Sequence, residues 1–302
     1  QGLLLQLTGD TSLARMNLNV AASLMASGEL TWAPDITLLI EQSAMIGSAD
    51  AQLMSEVEQM RGQVAALSGQ PDAALKMLRR ALAGLGSDAT PAQTYRLYWQ
   101  IGKLQAEAGE IDAALKNYER AIANLDRIRG ELLQGSTLVF TERVLPVYQG
   151  YIELLLEKAK VPGQEGKWLG QVQQTLEGLN AAEILDYFDD NCVLPRDVMS
   201  LSNTAAGTAV LYPITLGTRP VLLVRTANGI FRFDLAVGNA ELKSMALAFR
   251  EAITNPETSL GAYQAQASAL FTALLGPAQG LIERSSITTL VTVPSAYLRL
   301  VP

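Results

Sequence analysis

The segment Gln70–Leu85 reads QPDAALKMLRRALAGL, and the later segment Glu110–Leu125 reads EIDAALKNYERAIANL. Glycines recur at the same offset, at positions 62 and 102 and at positions 69 and 109. A unit that recurs at a fixed period cannot bury its apolar face alone and has to stack on its neighbours. The sequence therefore predicts that the first half of the chain is a helical solenoid.

Each predicted unit consists of two helices joined by a tight turn. The first helix is expected to end at Gly69 or Gly109, because glycine readily takes the left-handed conformation that closes a helix. The second helix follows an aspartate and begins with Ala-Ala-Leu. Small residues recur where the two helices have to approach closely, namely Gly62, Ala74 and Ala81, then Gly102, Ala114 and Ala121.

This spacing resembles the tetratricopeptide repeat (TPR). That repeat has a small residue midway along its first helix, a glycine seven positions later, and then Ala, an aromatic residue and Ala on the second helix. Residues 94–128 match this pattern well, whereas residues 54–85 have Leu78 in place of the aromatic. Residues 13–26, Gly28 and residues 35–46 are interpreted as a degenerate unit. Residues 137–159 and 167–190 are interpreted as longer helices, and Pro146 is expected to kink the first of these or end its first part.

A helical array of this kind can bind a peptide or protein along the concave groove formed by its first helices. The candidate partner-binding residues are Gln59, Gln63, Arg96, Trp99 and Lys103. The alternative is that the solenoid only packs against the next domain. The basic and asparagine side chains that clamp a C-terminal carboxylate in chaperone-binding repeats are not assembled in this sequence, so that ligand is not expected.

Composition excludes several classes of function. A net charge of -7 leaves no basic surplus to neutralise nucleic-acid phosphates. No apolar run is long enough to span a membrane. The chain has no histidine, which rules out a Ser-His-Asp triad, a Cys-His dyad or a His-ligated zinc within it. We therefore expect no catalytic residue, metal or cofactor in this chain. A single cysteine favours a reducing compartment, and cytoplasmic localisation in a bacterium is predicted, with export after removal of a signal peptide as the alternative.

An acidic cluster and the single cysteine are both interpreted as structural, not functional. Asp186, Asp189 and Asp190 are interpreted as a solvated helix end rather than a cation site, because no loop glycine or ligand spacing accompanies them. Cys192 is interpreted as a half-buried structural thiol.

The second half of the chain changes to an alternating pattern typical of strands. Strands are predicted at 209–214, 220–226 and 230–235, with Asn228-Gly229 forming a hairpin turn whose central positions need positive φ. Pro213 is expected to place the first strand at a sheet edge or at a bulge. Helices are predicted at 239–254 and 262–275, with a further helical stretch to Arg284. The β-branched run 287–293 is expected to be a strand covered on both faces.

The order of these elements resembles bacterial CHAT-domain proteins, the caspase-related cysteine peptidases associated with tetratricopeptide repeats. The resemblance rests on the helix LNAAEILDYFDDNC at 179–192, the Asn-Gly hairpin, and the strand TLVTVP at 289–294 followed by LRLVP at 298–302. It implies repeats and connecting helices over residues 1–192, then the first part of an α/β caspase-like domain with an antiparallel meander over residues 193–302.

The resemblance also implies a function. The chain would be the recognition and regulatory part of a bacterial cysteine peptidase whose catalytic His and Cys lie downstream of position 294, outside this chain. The 287–302 region would then be covered by the remaining C-terminal segment of the same protein or by another chain. One alternative is a non-catalytic scaffold with a degenerate caspase-like domain. Another is an unrelated repeat protein with a small α+β cap, which antiparallel pairing of the 287–293 strand with the meander would support.

Overall fold

The computed structural model describes residues 11–26, 33–87, 89–132, 140–188, 204–215 and 219–301. The chain divides into two compact units, Gln1–Leu132 and Leu133–Pro302. The domain boundary predicted at 192/193 lies outside the described residues and stays a prediction. Cys192, Asp189 and Asp190 also lie outside them, as does the side chain of Asp186.

The first unit is a TPR-like array of helical hairpins. Its helices are α1 (Thr11–Ala26), α2 (Ala33–Ile46), α3 (Ala51–Leu67), α4 (Pro71–Gly84), α5 (Pro91–Glu107) and α6 (Ile111–Leu132). The offset between the two repeated segments also separates α3 from α5 at both of their ends, and α4 from α6 at their starts. The helical solenoid predicted from the repeated segments is therefore confirmed, and α1 and α2 form the hairpin expected from the degenerate unit.

Local signals fix where these helices begin and end. The side chain of Asp50 accepts hydrogen bonds from the backbone N–H groups of the first turn of α3. Thr90 and Gln93 form a reciprocal capping box at the start of α5. Gly69 and Gly109 have φ values of +71° and +79°, the left-handed conformation expected after α3 and α5.

Packing inside the array follows the small residues identified in the sequence. The alanines of the second helices are fully buried at Ala74, Ala81, Ala114 and Ala121. Leu78 and Tyr118, which occupy the same repeat position, are also buried. The α1–α3 region shares a further core. Because each hairpin buries its apolar residues against the next, burial of apolar area continues along the array.

The first described element of the second unit is a π-helical turn, Phe140–Val144, and it is followed by helices α7 (Leu145–Lys158) and α8 (Glu165–Phe188). Pro146 occupies the first turn of α7, where its missing N–H leaves no intrahelical hydrogen bond unmade. The expectation that Pro146 ends the first part of the predicted helix is therefore confirmed.

A four-stranded mixed sheet follows these helices. Its strands are β1 (Thr208–Ile214), β2 (Val221–Thr226), β3 (Gly229–Asp234) and β4 (Thr289–Thr292), in the order β3-β2-β1-β4. The segment between β3 and β4 contains α9 (Asn239–Thr254), α10 (Leu260–Leu274) and α11 (Gln279–Arg284). The β1–β2 and β2–β3 pairs are antiparallel, which confirms the predicted meander, while β1 and β4 are parallel.

The β2–β3 hairpin differs from the prediction by one position. Thr226 pairs with Gly229, so the two-residue loop is Ala227-Asn228 rather than Asn228-Gly229. Gly229 opens β3 at a φ of +143°, which a residue with a side chain rarely adopts. The backbone N–H of Asn228 donates to the Thr226 hydroxyl at 3.2 Å, which holds the loop. The position that requires glycine is therefore Gly229, the first residue after the loop.

The expectation that Pro213 places β1 at a sheet edge or a bulge is wrong for the strand as a whole. β1 lies inside the sheet, and its register with β2 is continuous from Val210 to Ile214. The pairing of β4 with β1, however, stops at Leu211. The backbone oxygen of Pro213 accepts from the Ser295 hydroxyl at 2.6 Å on that side. Pro213 therefore lacks its N–H on the side of β1 where β4 no longer pairs, so no hydrogen bond between strands is lost.

The expectation that the 287–293 strand is covered on both faces is also wrong for the described residues. β4 spans four residues, and every one of them is exposed. β-branched composition predicted the strand correctly, but burial depends on which helices cover it. The parallel pairing of β4 with β1 also removes the support that the α+β-cap alternative required.

Both faces of the central strands are covered. On one face, Ala209 and Leu211 of β1 pack with Leu242 of α9 and Leu270 of α10. On the other face, the Tyr212 hydroxyl donates to Glu177 Oε1 at 2.8 Å and accepts from Gln173 Nε2 at 3.1 Å. Burial and the neighbouring Glu177 carboxylate raise the pKa of Tyr212 well above its usual value. These contacts attach α8 to the sheet.

Candidate peptide-binding groove

The first helices of the three hairpins, α1, α3 and α5, line one concave groove. The cavity volume is about 500 Å³. Its lining combines small and apolar side chains with two amides and two charges, namely Ala22, Met25, Ala26, Gly62, Gln63, Ala66, Leu67, Leu78, Trp99, Gln100, Lys103, Leu104 and Glu107. A groove of this size and composition is able to hold the side chains of a bound peptide.

The repeat register determines which residues reach the groove. Residues four apart on a helix lie on one face, and Gln59, Gln63 and Leu67 have this spacing on α3. The same repeat positions on α5 are Trp99, Lys103 and Glu107. The two helices therefore present aligned rows, one of them with an aromatic anchor and two charges.

Three of the five predicted partner-binding residues line the groove together. Gln63, Trp99 and Lys103 are all part of its wall. Trp99 is half-buried, so its indole is fixed by packing and still accessible, while Lys103 is exposed. This arrangement places a rigid apolar surface one helical turn from a cation.

The other two predicted residues are placed differently. Gln59 donates from Nε2 to Gln100 Oε1 at 3.2 Å, which links α3 to α5. Gln59 thus orients Gln100, which lines the groove, and does not line it itself. Arg96 is exposed and stays with its neighbour on α5, with Nε donating to the Tyr95 hydroxyl at 3.1 Å. Arg96 is not part of the groove wall.

Sequence reasoning missed the contribution of α1 to the groove. Ala22 and Ala26 precede Gly62 and Ala66 by the same offset that separates the clear repeats. That offset was a usable signal, although Gly28 falls one position before the place that the offset from Gly69 gives. Leu67 was missed as well, and it is 70% exposed at the end of α3 despite being apolar.

A second concavity lies on α4, with a volume of about 630 Å³. It contains Lys76, Arg79 and Arg80 together with the carboxylates Asp72 and Glu110. Both arginines are exposed to solvent. Mixed charges at an exposed surface are screened by solvent and give little binding energy, so the α1–α3–α5 groove is the better candidate site.

The part of the chain that the structure describes contains neither a candidate metal site nor a candidate membrane-spanning helix. No group of three or more acidic, cysteine or histidine residues is placed to hold a metal ion there. Among the described helices, none has the length and apolarity needed to cross a membrane.

Comparisons with known proteins find likenesses among solved structures. No family model matches the chain, and no curated protein matches it. One similar solved structure is a kinesin light chain with nearly identical TPR-like repeats from Podosopora anserina. It is 13% identical, with a TM-score of 0.34, and the match covers 59% of this chain and 90% of that one. At this TM-score the likeness carries no weight for function, so the groove rests on its own geometry.

Proposed function

We propose that the first unit is a protein-interaction solenoid that binds a peptide segment of a partner protein in the α1–α3–α5 groove. The observation that carries this proposal is the convergence of Gln63, Trp99 and Lys103 on one concave wall. A purely structural solenoid would have no need to keep a tryptophan half-exposed beside exposed Leu67. Such apolar surface is a feature of interaction sites.

The wall favours a particular ligand chemistry. Trp99, Leu67 and Met25 offer apolar surface for one or two large apolar side chains. The Gln63 and Gln100 amides each carry a donor and an acceptor, which suits the N–H and C=O groups of a peptide backbone. Lys103 adds a cation that favours an acidic residue in the ligand, and Glu107, one turn further along α5, disfavours one at its own end of the groove. The proposed ligand is therefore a peptide with apolar anchors and an acidic neighbour.

The wider role that we propose is the recognition and regulatory part of a bacterial caspase-like cysteine peptidase of the TPR–CHAT type, acting in the cytoplasm. The order of elements supports this proposal, as does the parallel β1–β4 pair, because a caspase-type core is a mostly parallel sheet with helices on both faces. Peptide-bond hydrolysis would use a Cys nucleophile and a His base supplied from outside this chain. Occupation of the groove would then control that peptidase.

A non-catalytic scaffold with a degenerate caspase-like domain is the competing function. The two differ in what accompanies this chain: a His followed by a Cys beyond position 302 favours the peptidase, and their absence favours the scaffold. In both cases residues 287–302 are expected to be covered, either by a C-terminal segment of the same protein or by another chain. The exposure of Leu290 and Val291 supports that expectation.

Peptide display on the whole chain tests the groove directly. Peptides selected on the wild-type chain are measured by fluorescence polarisation against W99A, K103A and the matched control K76A. Lys76 is a lysine of the second concavity, outside the groove. We expect W99A to weaken binding about tenfold or more, as for a buried aromatic anchor. We expect K103A to weaken binding mainly at low salt, and K76A to leave it unchanged.

Two results would contradict the groove proposal. One is a failure to select any peptide on the folded chain. The other is selection of peptides whose affinity is the same for wild type, W99A and K103A, since those peptides would bind elsewhere. Circular dichroism of each variant establishes that a lost affinity is not lost folding.

A further inference from the structure

Leu78 and Tyr118 occupy the same position in the two clear repeats, but their side chains differ in length. Both are buried, at 2% and 4% exposure. A Cβ on Gly62 would lie 3.0 Å from Leu78 Cδ2. In the second hairpin a Cβ on Gly102 would lie 3.2 Å from Tyr118 Cε2. Each side chain thus packs on the glycine of its own first helix, and the two hairpins differ in what extends past that glycine.

The shorter side chain leaves space on the groove side of the first hairpin. A leucine ends at its methyl groups, whereas a tyrosine ring continues to Cζ and the hydroxyl. The groove reaches down to Gly62, Leu78 and Leu104. Leu78 and Leu104 also belong to one apolar core. The space that the outer part of a ring would fill is therefore joined to the groove, and these three residues form its floor.

The surroundings of this floor suit a flat apolar group. Trp99 lines the same cavity and is half-buried, so packing holds its indole in place. Aromatic rings pack favourably on one another in offset or edge-to-face arrangements. A long aliphatic side chain could reach the floor, but it would gain no ring-to-ring contact with Trp99. The amides of Gln63 and Gln100 line the groove as well, so the ligand backbone has polar partners while the ring has apolar ones.

We propose that the groove contains a pocket for an aromatic side chain of the bound peptide, and that Leu78 determines this preference. The inference rests on the proposed function, because it requires a peptide in the α1–α3–α5 groove, and it goes further by naming the anchor and the residue that selects it. The ring of the ligand rests on Leu78 and fills the space that the outer part of the Tyr118 ring fills in the second hairpin.

The variant L78Y tests the pocket on the whole chain. It should fold, because it gives the first hairpin the pairing of ring and glycine that the second hairpin has between Tyr118 and Gly102. Peptides selected on the wild-type chain should share Phe, Tyr or Trp at one position. By fluorescence polarisation, L78Y should weaken their binding about tenfold or more, and so should alanine at that peptide position. The two changes together should cost little more than either alone, because both remove the same contact.

L75Y is the matched control for this substitution. Leu75 is partly buried on the same helix, α4, and it lines the second concavity instead of the groove. L75Y should leave both the affinity and the aromatic preference unchanged. Circular dichroism of L78Y and L75Y establishes that each variant is folded.

Methyl NMR of the wild-type chain tests the pocket without any change at Leu78, so the test survives if L78Y does not fold. The ring current of a stacked aromatic group shifts the resonances of the methyl groups beneath it. The Leu78 methyl resonances should therefore move when the aromatic peptide binds. They should move much less when leucine replaces the aromatic residue of the peptide, and this peptide should bind about tenfold more weakly.

The pocket and the groove fail separately. If no peptide binds, or if W99A and K103A leave the affinity unchanged, the groove proposal fails and the pocket falls with it. If peptides bind in a way that W99A weakens, but without an aromatic preference or without movement of the Leu78 methyl resonances, the groove stands and the pocket is overturned. A folded L78Y that binds the aromatic peptides as tightly as the wild-type chain also overturns the pocket alone.

Discussion

Gly102 lies against the ring of Tyr118, so closely that a Cβ atom on Gly102 would be 2.9 Å from Tyr118 Cδ2. The same relationship recurs one repeat earlier, where a Cβ on Gly62 would be 2.9 Å from Leu78 Cγ. In both hairpins such a Cβ would also lie 3.3 Å from the backbone oxygen of an alanine on the second helix. The absence of a side chain at these two glycines therefore sets the distance between the helices of each hairpin.

Replacing Gly102 with alanine should destabilise the array. The new methyl group has to displace the Tyr118 ring, and such overpacking typically costs about 1–3 kcal/mol, against a gain of about 1 kcal/mol in helix propensity. G84A is the control, because a Cβ there meets its nearest atom at 3.8 Å. Hydrogen exchange of the α5 and α6 amides in urea would measure the change. Equal stability of G102A and wild type would show that the overpacking costs no more than the gain in helix propensity, and would contradict the prediction.

Replacing Gly109 with alanine should also destabilise the array, for a different reason. Gly109 has a φ of +79°, and nothing lies within 4 Å of a Cβ built on it. The cost is therefore conformational, about 1–2 kcal/mol for a residue with a Cβ in the left-handed region. G109N should lose less, since asparagine tolerates this region better. Chemical denaturation of G109A and G109N compares the two, and a loss as large for G109N as for G109A would refute the conformational explanation.

Replacing Tyr212 with phenylalanine should loosen α8 from the sheet. The variant loses the hydroxyl that donates to Glu177 and accepts from Gln173 in a buried setting, and such a loss costs about 1–3 kcal/mol. Y263F is the matched control, because Tyr263 is 37% exposed on α10. The free energy of unfolding of the second unit should fall for Y212F and stay unchanged for Y263F. A neutral Y212F would mean that Gln173 and Glu177 satisfy each other without the phenol.

Alkaline pH should weaken the second unit through Tyr297. Its hydroxyl donates to Asn239 Oδ1 at 3.0 Å, and burial raises its pKa from 10.0 to about 12. Because the unfolded chain ionises first, the stabilisation is complete below about pH 10 and is lost as the pH rises toward about 12. Thermal melts across this range should therefore fall more steeply for wild type than for Y297F. Parallel pH profiles would show that Tyr297 titrates alike in both states.

The repeats were predictable because each signal is local to the hairpin. Gly69 and Gly109 mark the turns, and buried alanines mark the close approaches, so a single sequence contains the helix pairing and its register. The meander was predictable from alternation for the same reason. The groove face was predicted at first-helix positions three or four residues apart, which brought in Gln63, Trp99 and Lys103 but also Arg96, whose side chain donates to the Tyr95 hydroxyl.

The remaining features depend on partners distant in sequence. Pro213 sits safely inside the sheet because β4, which comes much later in the chain, stops pairing at Leu211. The exposure of Leu290 depends on which helices reach β4. The β-branched residues next to Leu290 predict a strand, but they do not predict whether helices cover it. The wall supplied by α1 was missed because Gly28 is one position out of the register of Gly69 and Gly109, so the glycine signal did not align α1 with α3 and α5.

The matched boundaries of α3 and α5 have a consequence for engineering and for evolution. Because the two hairpins have matching boundaries, a copy of one should pack against the other much as its present neighbour does. A DNA segment encoding residues 51–90 could therefore be duplicated in tandem without disrupting the packing between hairpins. The lengthened protein would gain one more helical hairpin and a correspondingly longer groove. It could then recognise a longer target without a change of fold.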